Sequence, residues 1–284
     1  MNTFSVGDVK ISRLCACAWK ISIRYQEEKK IFIIKTTGAN KNQHHTEKEY
    51  NNLLTLKDLL KDTSITKSIP NIHAYHPNGI PELSSIIPIN TPTLVLDYIP
   101  GQDLFEIIEA LILTPDLIIK IFRAVVKILA SVHNIGIYHR DIKPENIIVS
   151  FRSSVVDTED QPKETPEIVP KTTIIDWEFA ESVTKSVSYG CGTVFYVAPE
   201  MIKSPHIYST CNDVWALGVV LYAMYTNRLP FPEKNTLEHI LNSPIEYNIP
   251  TLPSDAVVFL KKIFTSYKQR ITLKQALDDR FLAE

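Results

Sequence analysis

"YHRDIKPENIIV", residues 138–149, decides how this chain is read. Within it, Lys143 follows Asp141 by two residues and Asn146 follows it by five. Downstream, "TIIDWEFAES" (173–182) reads as a buried strand, Ile174 and Ile175, that delivers another acid, Asp176, to a turn. Such a set can place a carboxylate, Asp141, near a hydroxyl nucleophile and a cation, Lys143, near a phosphoryl group in transfer. It also leaves two oxygen ligands, Asn146 and Asp176, for Mg²⁺ on the phosphates. A lone His-x-Asp or a lone buried Asp would carry little weight. The ordered run followed by a strand-borne acid is far more specific.

The bulk properties leave room for that chemistry. With 284 residues, 44% of them hydrophobic, the chain can bury a sizeable core as one large domain or two lobes. A net charge of −2, from 30 basic and 32 acidic residues, gives no bulk attraction to nucleic acid or anionic membrane, so neither is expected as a direct partner. Four cysteines (Cys15, Cys17, Cys191, Cys211) do not make a disulfide framework, and Cys15-x-Cys17 lacks a second pair at zinc spacing. No basic-then-apolar leader opens the chain. The longest apolar run, Val214 to Tyr225, suits a buried core helix and is too short to span a bilayer. A reducing intracellular compartment, cytoplasm or nucleus, is the expectation.

Residues 1–98 alternate short β-rich runs with one helix. Strands are expected at Val9–Leu14, Trp19–Tyr25, Lys30–Lys35 and Thr93–Tyr98. Between them, Glu49, Leu53, Leu56 and Leu60 recur at spacings of four, three and four, which puts them on one helical face of His45–Leu60. "YIPGQ" (98–102) breaks that texture, and residues 99–284 turn mostly helical. The clearest helix begins with Thr114 as N-cap and Pro115 in the first turn, carries an apolar stripe of Ile118, Phe122, Val125, Leu129 and Val132, and stops at Gly136. Residues 152–172, with three prolines and several charges, are expected to be an exposed, poorly ordered loop.

Taken in order, these motifs resemble those of a eukaryotic-type Ser/Thr protein kinase over nearly the whole chain. That resemblance implies an α+β, bilobal fold with a small β-rich lobe and a larger helical lobe. ATP would be the cofactor, with Mg²⁺ or Mn²⁺. "IFIIK" resembles the third-strand motif whose lysine, Lys35, contacts phosphates; Glu49, or failing that Glu47, would be its helix partner. "LVLDYIPGQDLF" resembles the inter-lobe hinge. Leu96 would be the gatekeeper, Asp97 and Ile99 would bind adenine through their backbones, and Asp103 would meet the ribose; Leu14 and Ile148 would line the nucleotide site. "CGTVFYVAPE" (191–200) resembles the end of an activation segment, with Thr193 facing substrate and Glu200 pairing with Arg270. Asp213 would hydrogen-bond the catalytic-loop backbone. Lys143 points to the Ser/Thr class. Ser186, Ser188 and Tyr189 lie where relatives are phosphorylated, and Arg140 could pair with such a phosphate.

Two departures from the family pattern stand out. Among eight glycines none lies between Gly7 and Gly38, although the Gly-rich phosphate loop should fall within residues 12–22, "SRLCACAWKIS". Weaker or slower nucleotide use is expected there, since backbone at positive φ is costly without glycine. Trp177-Glu178 stands where the family has Phe-Gly. Trp177 can fill the apolar slot of Phe, whereas Glu178 would stiffen the segment, at a strain of ~1–3 kcal/mol if the position needs an unusual φ. A pseudokinase that scaffolds rather than transfers is the rival reading. A small-molecule kinase is another, opposed by the "GT…APE" segment. Glu145 and Asp103 match positions that recognise arginine in basophilic relatives, but Ala223 stands where the third acid of that set would be, so a mild preference for basic, Arg-containing Ser/Thr substrates is expected. The compact, glycine-poor form resembles kinases of large DNA viruses, of the baculovirus type. That would imply work in a host cell on an Arg-rich nucleoprotein.

Overall fold

Alternating Ile, Val and aromatic residues build the amino-terminal third of the chain into a six-stranded sheet with one helix. In the computed structural model, residues 3–6, 9–15, 17–25, 28–36, 44–87, 90–154, 167–182, 193–204 and 210–283 are described. The chain divides into two compact units: residues 1–99 with 176–179, and residues 100–175 with 180–284.

The first unit comprises β1 (Thr3–Val6), β2 (Val9–Cys15), β3 (Ala18–Tyr25), β4 (Glu28–Thr36), α1 (His44–Leu59), β5 (Ile72–His76) and β6 (Thr93–Asp97). Its strand order is β1-β2-β3-β4-β6-β5, antiparallel throughout. Period-two alternation sends Ile11, Trp19, Ile21 and Ile34 to one face, where they pack with Ile87. On α1, the residues spaced four, three and four apart (Glu49, Leu53, Leu56) are buried, as is Leu60 just beyond its end. Two strands escaped the sequence reading. β1 has only four residues, and β5, "IHAYH", holds two histidines that break the apolar pattern.

The second unit comprises β7 (Gln102–Asp103), α2 (Leu104–Glu109), α3 (Pro115–Asn134), β8 (Ile137–Tyr138), β9 (Ile147–Ser154), β10 (Glu167–Ile174), β11 (Glu181–Ser182), α4 (Pro199–Lys203), α5 (Thr210–Thr226), α6 (Thr236–Asn242), α7 (Ser254–Ile263) and α8 (Leu273–Leu277). α3 starts as its sequence predicts: the Thr114 hydroxyl accepts from Leu117 N–H at 3.3 Å, and Pro115 occupies the first turn. All five stripe residues are buried, and Gly136 follows in the left-handed region at φ 76°. α5 is apolar on every side, and its residues from Val214 to Tyr225 are all buried. Gly101 is required where it stands: a Cβ there would lie 2.4 Å from the Val149 carbonyl oxygen.

The expected loop at 152–172 needs correction. Its two ends are strand, because β9 and β10 pair antiparallel from Ile147↔Ile174 out to Ser154↔Glu167. Backbone pairing with a neighbour outweighs the polar composition, and Pro170 is tolerated because β10 is an edge strand. Residues 155–166 lie outside the described part. Among the described residues, no helix is long and apolar enough to cross a membrane.

Candidate active site

Within the first unit, β4 delivers Lys35 and α1 delivers Glu49 to one point. Lys35 Nζ lies 2.7 Å from Glu49 Oε2 and 2.8 Å from Asp176 Oδ1. The Glu49 side chain is only 3% exposed, and that of Lys35 19%. Burial alone would lower the Lys35 ammonium, but the two carboxylates outweigh it and hold lysine above its usual range. Burial pushes the Glu49 carboxyl up, against the pull of Lys35 and with the help of nearby Asp176 and Glu178. Glu49, and not Glu47, is thus the partner of Lys35; Glu47 is largely exposed and lies 3.7 Å from His44.

The segment after β10 belongs to this cluster. Asn52 Nδ2 donates to the Trp177 carbonyl at 2.8 Å, and Trp177 is fully buried. These ties explain why residues 176–179 group with the first unit. The conditional strain at Glu178 is not found. Asp176, at φ 64°, carries the left-handed backbone, while Glu178 is not among the residues of positive φ. A side chain at position 178 therefore meets no left-handed penalty, and Glu178 folds inward to lie 3.8 Å from His45.

In the second unit, the turn after β8 carries the other half of the predicted set. Asp141 Oδ1 accepts from both the backbone N–H and the hydroxyl of Thr193, each at 3.0 Å. Lys143 Nζ lies 2.9 Å from Asp141 Oδ2 and donates to the Thr193 hydroxyl at 3.0 Å. Asn146 Nδ2 donates to the Asp141 carbonyl at 2.8 Å and to its Oδ2 at 3.2 Å. With the amide nitrogen so engaged, the Asn146 side-chain oxygen is the face turned away from Asp141.

This turn is held from beneath. Asp213, near the start of α5, accepts from the His139 and Arg140 backbone N–H groups at 2.9 Å each. It also meets His133 Nε2 at 2.8 Å. Burial would raise the Asp213 carboxyl, but the hydrogen bond and charge of His133, with His139 nearby, bring it below the usual aspartate range. Arg140 sits at φ 73°, a conformation costing about 1–2 kcal/mol for a side-chain-bearing residue, which the Asp213 clamp sustains. The Asp141 N–H donates to His139 Nδ1 at 3.3 Å, which leaves the ring proton on Nε2 to be donated to the Ile175 carbonyl at 3.1 Å. Farther along, Arg270 Nη2 donates to Glu200 Oε2 at 3.0 Å, and Nη1 pairs with Oε1. Arg270 also reaches the carbonyls of Ile263, Cys211 and Thr265.

The remaining expected residues fall as follows. Leu96 is buried on β6, opposite Ile33 and Ile72, and Ile99 lies half-buried just beyond that strand. Leu14 is 47% exposed on β2. The Asp97 N–H is bound to Asn71 O at 3.0 Å, and its carboxylate takes Asn71 and His73. Ile148 sits on β9 opposite Asp103 of β7. Asp103 has a role the sequence reading missed, since its Oδ1 caps α2 by accepting from Glu106 N–H at 2.8 Å. Glu145 is exposed on the Pro144–Asn146 turn. Ser186, Ser188 and Tyr189 lie outside the described residues. Arg140 is already engaged, through an ion pair with Glu181.

Glu181, His133 and Tyr196 were not singled out from the sequence. The Tyr196 phenol is pushed up by burial and by the adjacent carboxylates of Glu145 and Asp141, and it lines a small pocket with Asp141 and Thr193. No spacing signal marks a residue whose partner is 40 or more positions away.

Residues 20–282 match the family model described as protein kinase domain. The chain is 30% identical over 209 residues to maternal embryonic leucine zipper kinase of Xenopus tropicalis, covering 69% of this chain and 29% of that protein. It is 32% identical over 176 residues to cAMP-dependent protein kinase type 3 of Saccharomyces cerevisiae, with 61% and 39% covered. Identity to the serine/threonine-protein kinase ULK1 of Homo sapiens is 28% over 188 residues, with 64% and 17% covered. The matched part is thus well under half the length of each of these relatives. On the family match across residues 20–282, the chain belongs to the protein kinase domain family.

Proposed function

We propose that this chain is an active, ATP-dependent protein kinase that moves the γ-phosphate to Ser or Thr hydroxyls. The observation that carries the reading is the gathering of Lys143, Thr193 and Asn146 on the Asp141 carboxylate. Asp141 would accept the substrate hydroxyl's proton, and Lys143 would sit against the phosphoryl group in transfer. Thr193 would keep the carboxylate aimed until a hydroxyl replaces it. Lys35, oriented by Glu49, would hold the non-transferring phosphates.

The donor set fits a hard divalent cation. Asp176 offers a carboxylate and Asn146 an amide oxygen, both suited to Mg²⁺, which would neutralise phosphate charge when bound. Among the described residues, no three acidic, histidine or cysteine side chains could cage a metal alone. Asp176 and Asn146 would each contribute a single ligand group, so a cation bound together with ATP would draw its remaining ligands from nucleotide oxygens and water. Exposed Glu145 supports a preference for basic substrates.

One observation favours a second reading, a nucleotide-binding scaffold. The Lys35–Asp176 contact at 2.8 Å has to open before both residues serve ATP and metal. Two variants separate the readings. Lys35→Met should raise the KM for ATP and lower kcat, whereas Asp141→Asn should keep nucleotide affinity and lose about 10²–10⁴-fold in kcat, the usual worth of a positioned base. Equal residual turnover in Asp141→Asn and wild type would favour the scaffold.

A further inference from the structure

The tip of the β2–β3 hairpin carries two thiols that the phosphotransfer reading does not use. Cys15 ends β2 and Cys17 precedes β3, and their Sγ atoms lie 3.8 Å apart. Cys15 is exposed and Cys17 half-buried. A disulfide needs about 2.05 Å between sulfurs. Closure therefore asks the two sulfurs to approach by about 1.8 Å. Pairing shifts register between Arg13 and Cys15, so the ladder is already irregular next to Cys15. The Cys17 thiol, as hydrogen-bond donor, lowers the Cys15 thiol to about 5 against the opposing effect of burial, with backbone groups and Lys35 assisting. Cys15 is accordingly the nucleophile of the pair.

The hairpin tip is joined to the strand that bears Lys35. The Cys17 carbonyl accepts from Thr36 N–H at 2.9 Å, and Ala18 stands opposite Lys35 in the ladder. A covalent change at the tip would thereby bear on the Lys35 backbone, through its ladder partner Ala18 and its chain neighbour Thr36.

We propose that Cys15 and Cys17 are a reversible dithiol–disulfide site, oxidised by hydroperoxides, whose closure weakens nucleotide binding. The Cys15 thiolate attacks the hydroperoxide; an S–O bond forms, the O–O bond breaks, and the alcohol (or water) leaves. Cys17 sulfur then attacks the sulfenic sulfur, forming S–S and expelling hydroxide, which takes the Cys17 proton as water. Two thiols give up two electrons and two protons, and the hydroperoxide is reduced by two electrons. The chemistry of the site is independent of the kinase reading; its effect on nucleotide rests on it.

Tryptic peptide 14–20, "LCACAWK", contains both thiols and neither Cys191 nor Cys211. The full chain is treated with stoichiometric hydrogen peroxide, digested and weighed. The expected result is loss of two hydrogens from that peptide, reversed by dithiothreitol, with Cys17→Ser giving a dimedone-trapped sulfenic acid at Cys15 instead. A peptide that stays a dithiol while peroxide is consumed would overturn the site. ATP affinity is measured on oxidised and re-reduced wild type, and each serine variant is compared with its own reduced form. A several-fold weakening confined to the wild type is expected. Disulfide formation with unchanged affinity would overturn the coupling to nucleotide. No ATP binding even in the reduced protein would count against the kinase reading, while the peptide mass would still decide the site.

Discussion

Lys35 Nζ bridges two acids, 2.7 Å from Glu49 Oε2 and 2.8 Å from Asp176 Oδ1, with Glu178 also close enough to raise the Glu49 carboxyl. One cation thus serves a cluster of three acids. Removing the cation and removing an acid should have unlike consequences. Lys35→Met leaves the buried acids uncompensated and should destabilise by about 3–5 kcal/mol. Asp176→Asn relieves repulsion on Glu49 and puts asparagine at φ 64°, where it is well tolerated, so stability should stay within about 1 kcal/mol of wild type or rise. Denaturant unfolding of both variants checks this, and an Asp176→Asn loss as large as that of Lys35→Met would contradict it.

Position 178 tests whether the missing glycine strains the fold. Glu178 is not at positive φ, so glycine gains nothing there and loosens the unfolded chain. Glu178→Gly should be less stable than Glu178→Ala by about 0.4–1 kcal/mol. The reverse order in thermal melts would mean that the segment needs glycine's conformational freedom.

Arg270 satisfies Glu200 and three backbone carbonyls at once. A lysine ammonium cannot span that fan of acceptors. Arg270→Lys is therefore expected to lose most of what Arg270→Ala loses, about 3–5 kcal/mol. Urea titration decides, and a near-neutral lysine variant would contradict the assignment.

Asp213 has a carboxyl held below the ordinary value, so its contribution is complete above about pH 4, where the unfolded carboxyl is ionised, and fades as pH falls through the lower folded value. Asp213→Asn should be markedly less stable than wild type near neutrality. That gap should narrow between pH 5 and pH 3, by roughly the amount the protonated carboxyl forfeits. Thermal melts across this range test the sign; a gap that is constant or widens in acid would refute it.

Several of these features were legible in the chain and others were not. The α1 face and the α3 cap and stripe follow from helical period and capping residues, whereas the Lys35–Glu49 pair rests on the resemblance of "IFIIK" to the family's third-strand motif. β5 was hidden by its histidines, and the ends of the 152–172 stretch by prolines and charge that an edge strand accommodates. Glu181 as the partner of Arg140, and the left-handed backbone at Asp176 rather than strain at Glu178, depend on tertiary contacts. Local composition encodes neither.

Under the proposed function, the chain still transfers phosphate although no glycine lies between Gly7 and Gly38 and Trp177-Glu178 replaces Phe-Gly. Incubating the purified chain with γ-labelled ATP, a generic basic protein and either Mg²⁺ or Mn²⁺ tests it most directly. Label on serine or threonine, abolished by Asp141→Asn, is the predicted result. A folded wild type that transfers no label with either metal would contradict it.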